Sequence, residues 1–243
     1  MKRLSRLYYV FALPAMMAVC ACLLLPVAAS AQSFGYHVSL DASALTSSDA
    51  GPFTLDFQLT SGIVPDGART QVMIENFTFG GGAATGSPTL VGGASGNLNS
   101  EVNLSTSSFL NDFQQGFVPQ GLLQFDLCLM TDPANPARDP ADGFSFAILD
   151  STGTEIPTLG FFDIGSDVLL SVDLDGSGTP TILTYDTDDS QPPAGGTTPI
   201  VMGAPVVTET GVVCSADVPE PGALALLGGI LVPGAVFLIR RRQ

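Results

Sequence analysis

Between residues 53 and 60, apolar and polar residues alternate: Phe53, Leu55, Phe57 and Leu59 fall on one side, Thr54, Asp56, Gln58 and Thr60 on the other. Successive side chains of a strand leave opposite faces, so this pattern predicts a strand with one face buried. The same period runs through Phe34, Tyr36, Val38 and Leu40, through Leu123, Phe125, Leu127 and Leu129, and through Phe144, Phe146 and Ile148. Further strands are predicted over 71–79, 97–104, 168–174, 181–185 and 200–208, separated by turn-forming stretches such as Gly80-Gly81-Gly82 and Asp132-Pro133-Ala134-Asn135-Pro136. Many short strands at this spacing predict an all-β domain, an antiparallel β-sandwich or jelly-roll. Helical spacing shows only over 108–115, where Ser108 would cap a turn that sets Phe109 and Phe113 on one side. The alternative there is an irregular link between strands. Residues 188–196, Asp-Asp-Ser-Gln-Pro-Pro-Ala-Gly-Gly, read as a flexible polar loop or linker.

Two apolar runs do not alternate, and they lie at the ends. The first, residues 7–28, follows Lys2, Arg3 and Arg6 and precedes Ala29-Ser30-Ala31. A basic start, an apolar run and a small-x-small triplet predict a secretory signal peptide over 1–31, read at Ala29 and Ala31 and leaving Gln32 as the first mature residue. An uncleaved membrane anchor is the alternative. The second run, residues 222–239, has 18 residues and is followed by Arg240, Arg241 and Arg242. As a helix it would reach about 27 Å, enough to span a bilayer core. The arginines would act as a stop-transfer cluster on the cytoplasmic side, which puts residues 32–218 across the membrane.

Charge sharpens this division. Of 23 acidic and eight basic residues, 22 acidic but only two basic ones, Arg69 and Arg138, lie between residues 32 and 219. A field of that sign repels phosphate, which argues against nucleic acid as a partner and leaves divalent cations as plausible ones. After removal of the signal, Cys128 and Cys214 are the remaining thiols of a chain bound for an oxidising compartment, a candidate disulfide.

Candidate chemistry is sparse. Asp173, Asp175 and Ser177 place oxygens at alternate positions beside Gly176 and Gly178, as calcium loops do. An EF-hand loop would need a bidentate Glu where Thr184 stands, and a β-hairpin with a glycine-rich turn explains the same residues without metal. Calcium is the one cofactor the residues suggest. The single histidine, His37, sits in an alternating stretch, and neither Gly-x-Ser-x-Gly nor His-Glu-x-x-His occurs. The expectation is therefore a protein without catalytic activity. Two alternatives stand beside it: a carbohydrate- or calcium-binding module, weakened for sugars by the lack of Trp, and a secreted glycoside hydrolase using two of the many carboxylates.

The most specific motif is Pro219-Glu220-Pro221, followed by the apolar run 222–239 and the basic tail 240–243. Triplet, span and charges in this order resemble the PEP-CTERM sorting signal. The resemblance covers residues 219–243 and implies processing by an exosortase, a membrane protease of Gram-negative bacteria that often make exopolysaccharide. It thereby implies as partners the export machinery, the exosortase, the inner membrane before processing and exopolysaccharide afterwards, with a final place at the cell surface or in the extracellular matrix. The stretch from Gly143 through Phe144, Phe146 and Ile148 to Asp150 also looks like the β-sandwich domains that such tails follow.

Overall fold

A computed structural model describes residues 32–62, 70–131, 141–174, 179–211 and 214. Residues 1–31, the tail from 215 onward, and Asp175 and Ser177 of the calcium pattern lie outside them. Among the described residues no helix is long and apolar enough to cross a membrane.

The described residues form twelve strands, the alternating stretches among them: β1 (Gln32–Asp41), β2 (Phe53–Thr60), β3 (Gln71–Thr78), β4 (Ala83–Val91), β5 (Ala94–Gly96), β6 (Glu101–Ser105), β7 (Leu110–Val118), β8 (Leu122–Thr131), β9 (Asp142–Leu149), β10 (Leu170–Leu174), β11 (Thr181–Thr184) and β12 (Val206–Glu209). One short helix, α1 (Gly160–Ile164), lies between β9 and β10. The strands form two sheets, ordered β12-β1-β8-β3-β6-β5 and β11-β10-β9-β2-β7-β4, and every pairing is antiparallel. They are called here the β1 sheet and the β2 sheet.

Their inner faces share one core. On β2 the buried residues are Phe53, Leu55, Phe57 and Leu59, and on β8 they are Leu123, Phe125, Leu127 and Leu129, as the alternation requires. Phe57 stacks on Phe146 of β9 with ring centres 4.8 Å apart and meets Phe125 of the opposite sheet edge-on at 5.5 Å. Such offset and T-shaped contacts add to the burial of large aromatic surface, and here they join the two layers.

The helical turn expected over 108–115 does not form. Those residues enter β7, a central strand paired with β2 on one side and β4 on the other. Residues four apart share a side in both a helix and a strand, so the Phe109–Phe113 spacing could not separate the two. The nearer pattern decides: Asn111, Phe113, Gln115 and Phe117 all point inward. The two polar ones are satisfied there. Asn111 donates to the Leu59 carbonyl at 3.0 Å and accepts from the Gly93 amide at 2.7 Å, while Gln115 donates to the Thr85 carbonyl at 2.8 Å. The last contact fills a register shift between Thr85 and Thr89 of β4. β4 itself is absent from the sequence expectation, because this edge strand is mostly exposed and its Ala-Ala-Thr-Gly-Ser-Pro stretch carries no alternation to read.

Residues 188–196 form a loop, as their composition predicts, but not a linker between bodies. Asp188 accepts from the Ser190 amide and hydroxyl, and Gly195 donates its amide to Asp150 at 2.7 Å. The chain then returns to the β1 sheet as β12, within the same compact unit, Ser30–Ala216.

Candidate functional site

Cys128 lies on β8, on the opposite face from the inward-facing Leu127 and Leu129. Cys214 follows the end of β12 by five residues, and the two are joined by a disulfide with 5.9 Å between Cα atoms and 86 residues of sequence separation. Met73 of β3 and Met130 of β8 are buried against the pair. The chain beyond β12 is thus clasped to the outer face of the β1 sheet. In the chain-entropy model a bridge over such a loop contributes on the order of 4 kcal/mol.

Beside this clasp opens a cavity of about 200 Å³, lined by Gly35, Glu75, Asn76, Asp126 and the two cysteines among others. Three neighbouring strands build it: β1, β8 and β3. Their registers set His37 opposite Asp126 and Glu75 opposite Asp126. β3 then slips register between Glu75 and Thr78, and Asn76 takes a left-handed backbone angle, φ 53°. Asparagine tolerates that region better than most residues, and a bulge re-aims the side chain that carries it. The Asn76 amide donates to one oxygen of Asp126 at 2.8 Å, and His37 Nδ1 contacts the other at 2.8 Å.

Gln124 Nε2 lies 3.3 Å from His37 Nε2. These contacts fit a tautomer whose Nδ1–H donates to Asp126 and whose Nε2 accepts from Gln124. Both ring nitrogens are then engaged, which leaves His37 neither a free metal ligand nor a free base in this arrangement. Across the β3–β6 pair Glu75 faces Glu101. Burial raises the Glu75 pKa, and the neighbouring Glu101 and Asp126 carboxylates push the same way. The site is concave, acidic and rich in acceptors, suited to cations or to the hydroxyls of a sugar. Among the described residues no three metal-ligating side chains converge closely enough to hold an ion.

The residues predicted for calcium are placed only in part. Asp173 stands on β10 directly opposite Thr181 of β11, so its flanks pair as a hairpin; Asp175 and Ser177 fall outside the described residues. The sorting residues Pro219, Glu220 and Pro221, the arginines Arg240, Arg241 and Arg242, and the cleavage residues Ala29 and Ala31 fall outside them too, while Gln32 is the first residue of β1.

Sequence reasoning did not find Glu75, Asn76, Gln124 or Asp126 as a group. Each is a polar residue on the outward side of a strand, indistinguishable in sequence from any solvated position, and only the register of three strands collects them. It also missed α1, where Phe161 and Phe162 are 54% and 71% exposed. No protein-family model, no curated protein and no solved structure matches the chain.

Proposed function

We propose that the chain is an exported cell-surface or matrix protein without catalytic activity, delivered by a signal peptide over 1–31 and sorted through a PEP-CTERM-like tail over 219–243. The observation that carries this reading is how the folded domain fits between the two signals. The twelve described strands fall between the two expected signals, and the disulfide ties Cys214, five positions ahead of Pro219, to β8. A structural disulfide suits an oxidising compartment, the destination that both signals imply. The nested strand order, with β1-β8-β3-β6 in one sheet and β9-β2-β7-β4 in the other, supports a jelly-roll form of the sandwich. In this mechanism the tail holds the domain at the inner membrane until an exosortase reads Pro219-Glu220-Pro221. The clasp at Cys214 keeps that motif within a few residues of a rigid body.

The test is a blot with a tag placed after Gln32. Glu220→Ala, or Ala-Ala-Ala in place of the triplet, is expected to accumulate a longer, membrane-retained form in a host with the exosortase. Wild type is expected to show that same form in a host without it. Retention of residues 222–239 by wild type in its native host would make the chain a plain single-span protein.

A second reading, binding of polysaccharide, is favoured by one observation. Phe161 and Phe162 offer the exposed aromatic surface that the composition left in doubt. Retention on immobilised exopolysaccharide, lost in Phe161→Ala/Phe162→Ala, is its expected result.

A further inference from the structure

Asp56 and Asp112 stand on the outer face of the β2 sheet, on adjacent strands. β2 and β7 are registered so that Asp56 opposes Gln114 and Gln58 opposes Asp112, which makes the two aspartates diagonal neighbours on one face. Diagonal positions lie within reach of each other's side chains, and the Asp112 carboxyl group is near enough to disfavour the charge on Asp56. An outward-facing aspartate is ordinarily solvated. These are not: Asp56 is 3% exposed and Asp112 6%. One oxygen of Asp56 accepts from Gln58 Nε2 at 3.0 Å. Oδ1 of Asp56 and Oδ1 of Asp112 are each buried without a hydrogen-bond donor.

Two buried, neighbouring carboxylates cannot both keep a full charge, because each destabilises the ionised form of the other and water is not there to screen them. A basic partner would resolve this, but the described residues include no Lys or Arg. The neighbours on the same face are uncharged. They are Thr54 and Gln58 on β2, Gln114 on β7, Thr89 and Val91 opposite β7 on β4, and Ser145 and Ala147 opposite β2 on β9. Among the described residues the further charged group that acts on Asp56 is Glu155, which bridges to Leu149 at the end of β9 and adds negative charge. Its own oxygens are held by the Asp167 amide at 3.1 Å and the Ser166 hydroxyl at 3.4 Å. A calcium ion would need six to eight oxygens, whereas one proton between the carboxyl groups gives a donor to an oxygen that otherwise has none.

We propose that Asp56 and Asp112 share a single proton and form an acid-held latch between the central strands β2 and β7, which weakens when that proton is lost to alkaline solution. The electrostatics agree. Burial above all, then the hydrogen bond and charge of Asp112, push the Asp56 pKa up to about 8, and burial raises that of Asp112 as well. An unfolded aspartate titrates near 3.9. The folded state therefore holds a proton that the unfolded chain has released, and its stabilising effect is complete below about pH 4 and lost as pH rises through about 8.

Urea unfolding of the full chain between pH 5 and 9 tests this, with Asp56→Asn, Asp112→Asn and Glu155→Gln beside wild type. One linked proton makes the unfolding equilibrium constant rise about tenfold per pH unit. That rise is expected in wild type up to about pH 8 and expected to persist in Glu155→Gln. It is expected to vanish in either Asn variant, whose amide donates to the remaining carboxylate at every pH. A wild-type slope equal to that of both Asn variants overturns the latch. So does a rise in the wild-type urea midpoint on adding millimolar calcium at pH 8 that Asp56→Asn abolishes, since the pair would then be a cation site.

Discussion

Asp150 and Asp56 belong to strands that pair with each other, β9 running into Asp150 and β2 carrying Asp56, yet their carboxyl groups are driven in opposite directions. Burial works against the charge on Asp150, but donors from Thr152, Gly195 and Thr154 outweigh it and hold the pKa below the usual range. Asp188 and Asp49 are lowered as well, first by the hydroxyls of Ser190 and Thr197 and then by the backbone amides of the same residues. For Asp56, burial and the Asp112 carboxyl group raise the pKa to about 8. The difference lies in where the backbone amides go. Loop amides are not taken up by a sheet ladder and can turn toward a carboxylate, whereas strand amides are already paired. An acid on a sheet face finds only side chains, and in a domain whose described residues lack Lys and Arg those side chains are often other acids.

The sharpest way to break this comparison is to remove a loop-holding carboxylate that is fully buried. Asp142 accepts from the Gly62 amide at 2.9 Å, the Thr70 hydroxyl at 2.5 Å and the Ser61 hydroxyl at 3.5 Å. Asp142→Ala takes the carboxyl acceptor from the Gly62 amide and the Thr70 hydroxyl, and each donor so deprived costs about 1–3 kcal/mol. A loss of about 4 kcal/mol in urea-derived stability is expected. A loss under about 0.5 kcal/mol, the range of an ordinary surface change, would mean that these acids do not hold the loops.

The next effect is the pH profile of the whole protein. Carboxylates with lowered pKa contribute stability that is full above about 3.9, the unfolded value, and lost as pH falls through their folded values. Those with raised pKa contribute stability that is full below about 3.9 and lost as pH climbs toward 8. The two classes together place the stability maximum at about pH 4 to 5, with a melting temperature lower by about 10–20 °C at pH 8. Calorimetry from pH 2 to 9 checks this. A maximum at neutral pH would show that the loop carboxylates dominate and the face carboxylates matter little.

How far the sequence reveals this division follows from what alternation can report. Phe53 to Leu59 and Leu123 to Leu129 mark their strands because half their positions must enter the core, and both sheets are legible at that level. β4 and β7 are not. β4 buries too little to alternate, and the inward Asn111 and Gln115 of β7 break the apolar pattern at core positions where hydrogen bonds make them welcome. Side-chain groupings are less legible still. Asp56 reads as an ordinary outward residue, and nothing near it in sequence announces Asp112, 56 positions away, or the charge of Glu155. Asp150 is a partial exception, since Asp-Ser-Thr-Gly-Thr spells a turn whose aspartate accepts from the backbone two residues on. Its second partner, Gly195, is set by the fold.

The finest distinction between the two classes comes from making one substitution in each. Asp150→Asn keeps a single carbonyl oxygen, enough to accept from the Thr152 amide and hydroxyl, which now contact Oδ1 at 2.8 and 2.6 Å. It puts an amide where Oδ2 now accepts from the Gly195 amide at 2.7 Å, so two donors face each other. A cost of about 1–2 kcal/mol is expected at pH 8. The damage should be local: the Gly195 amide should exchange faster with solvent, and residues 188–196 should become the first site of proteolytic cutting. Asp56→Asn at the same pH replaces a poorly tolerated charge with a donor to Asp112 and is expected to leave stability unchanged or raise it. Opposite signs for one chemical change, read in the same buffer, follow only if backbone donors hold Asp150 and a second acid crowds Asp56. Equal losses in both variants would mean that Asp56, like Asp150, is stabilised as an anion.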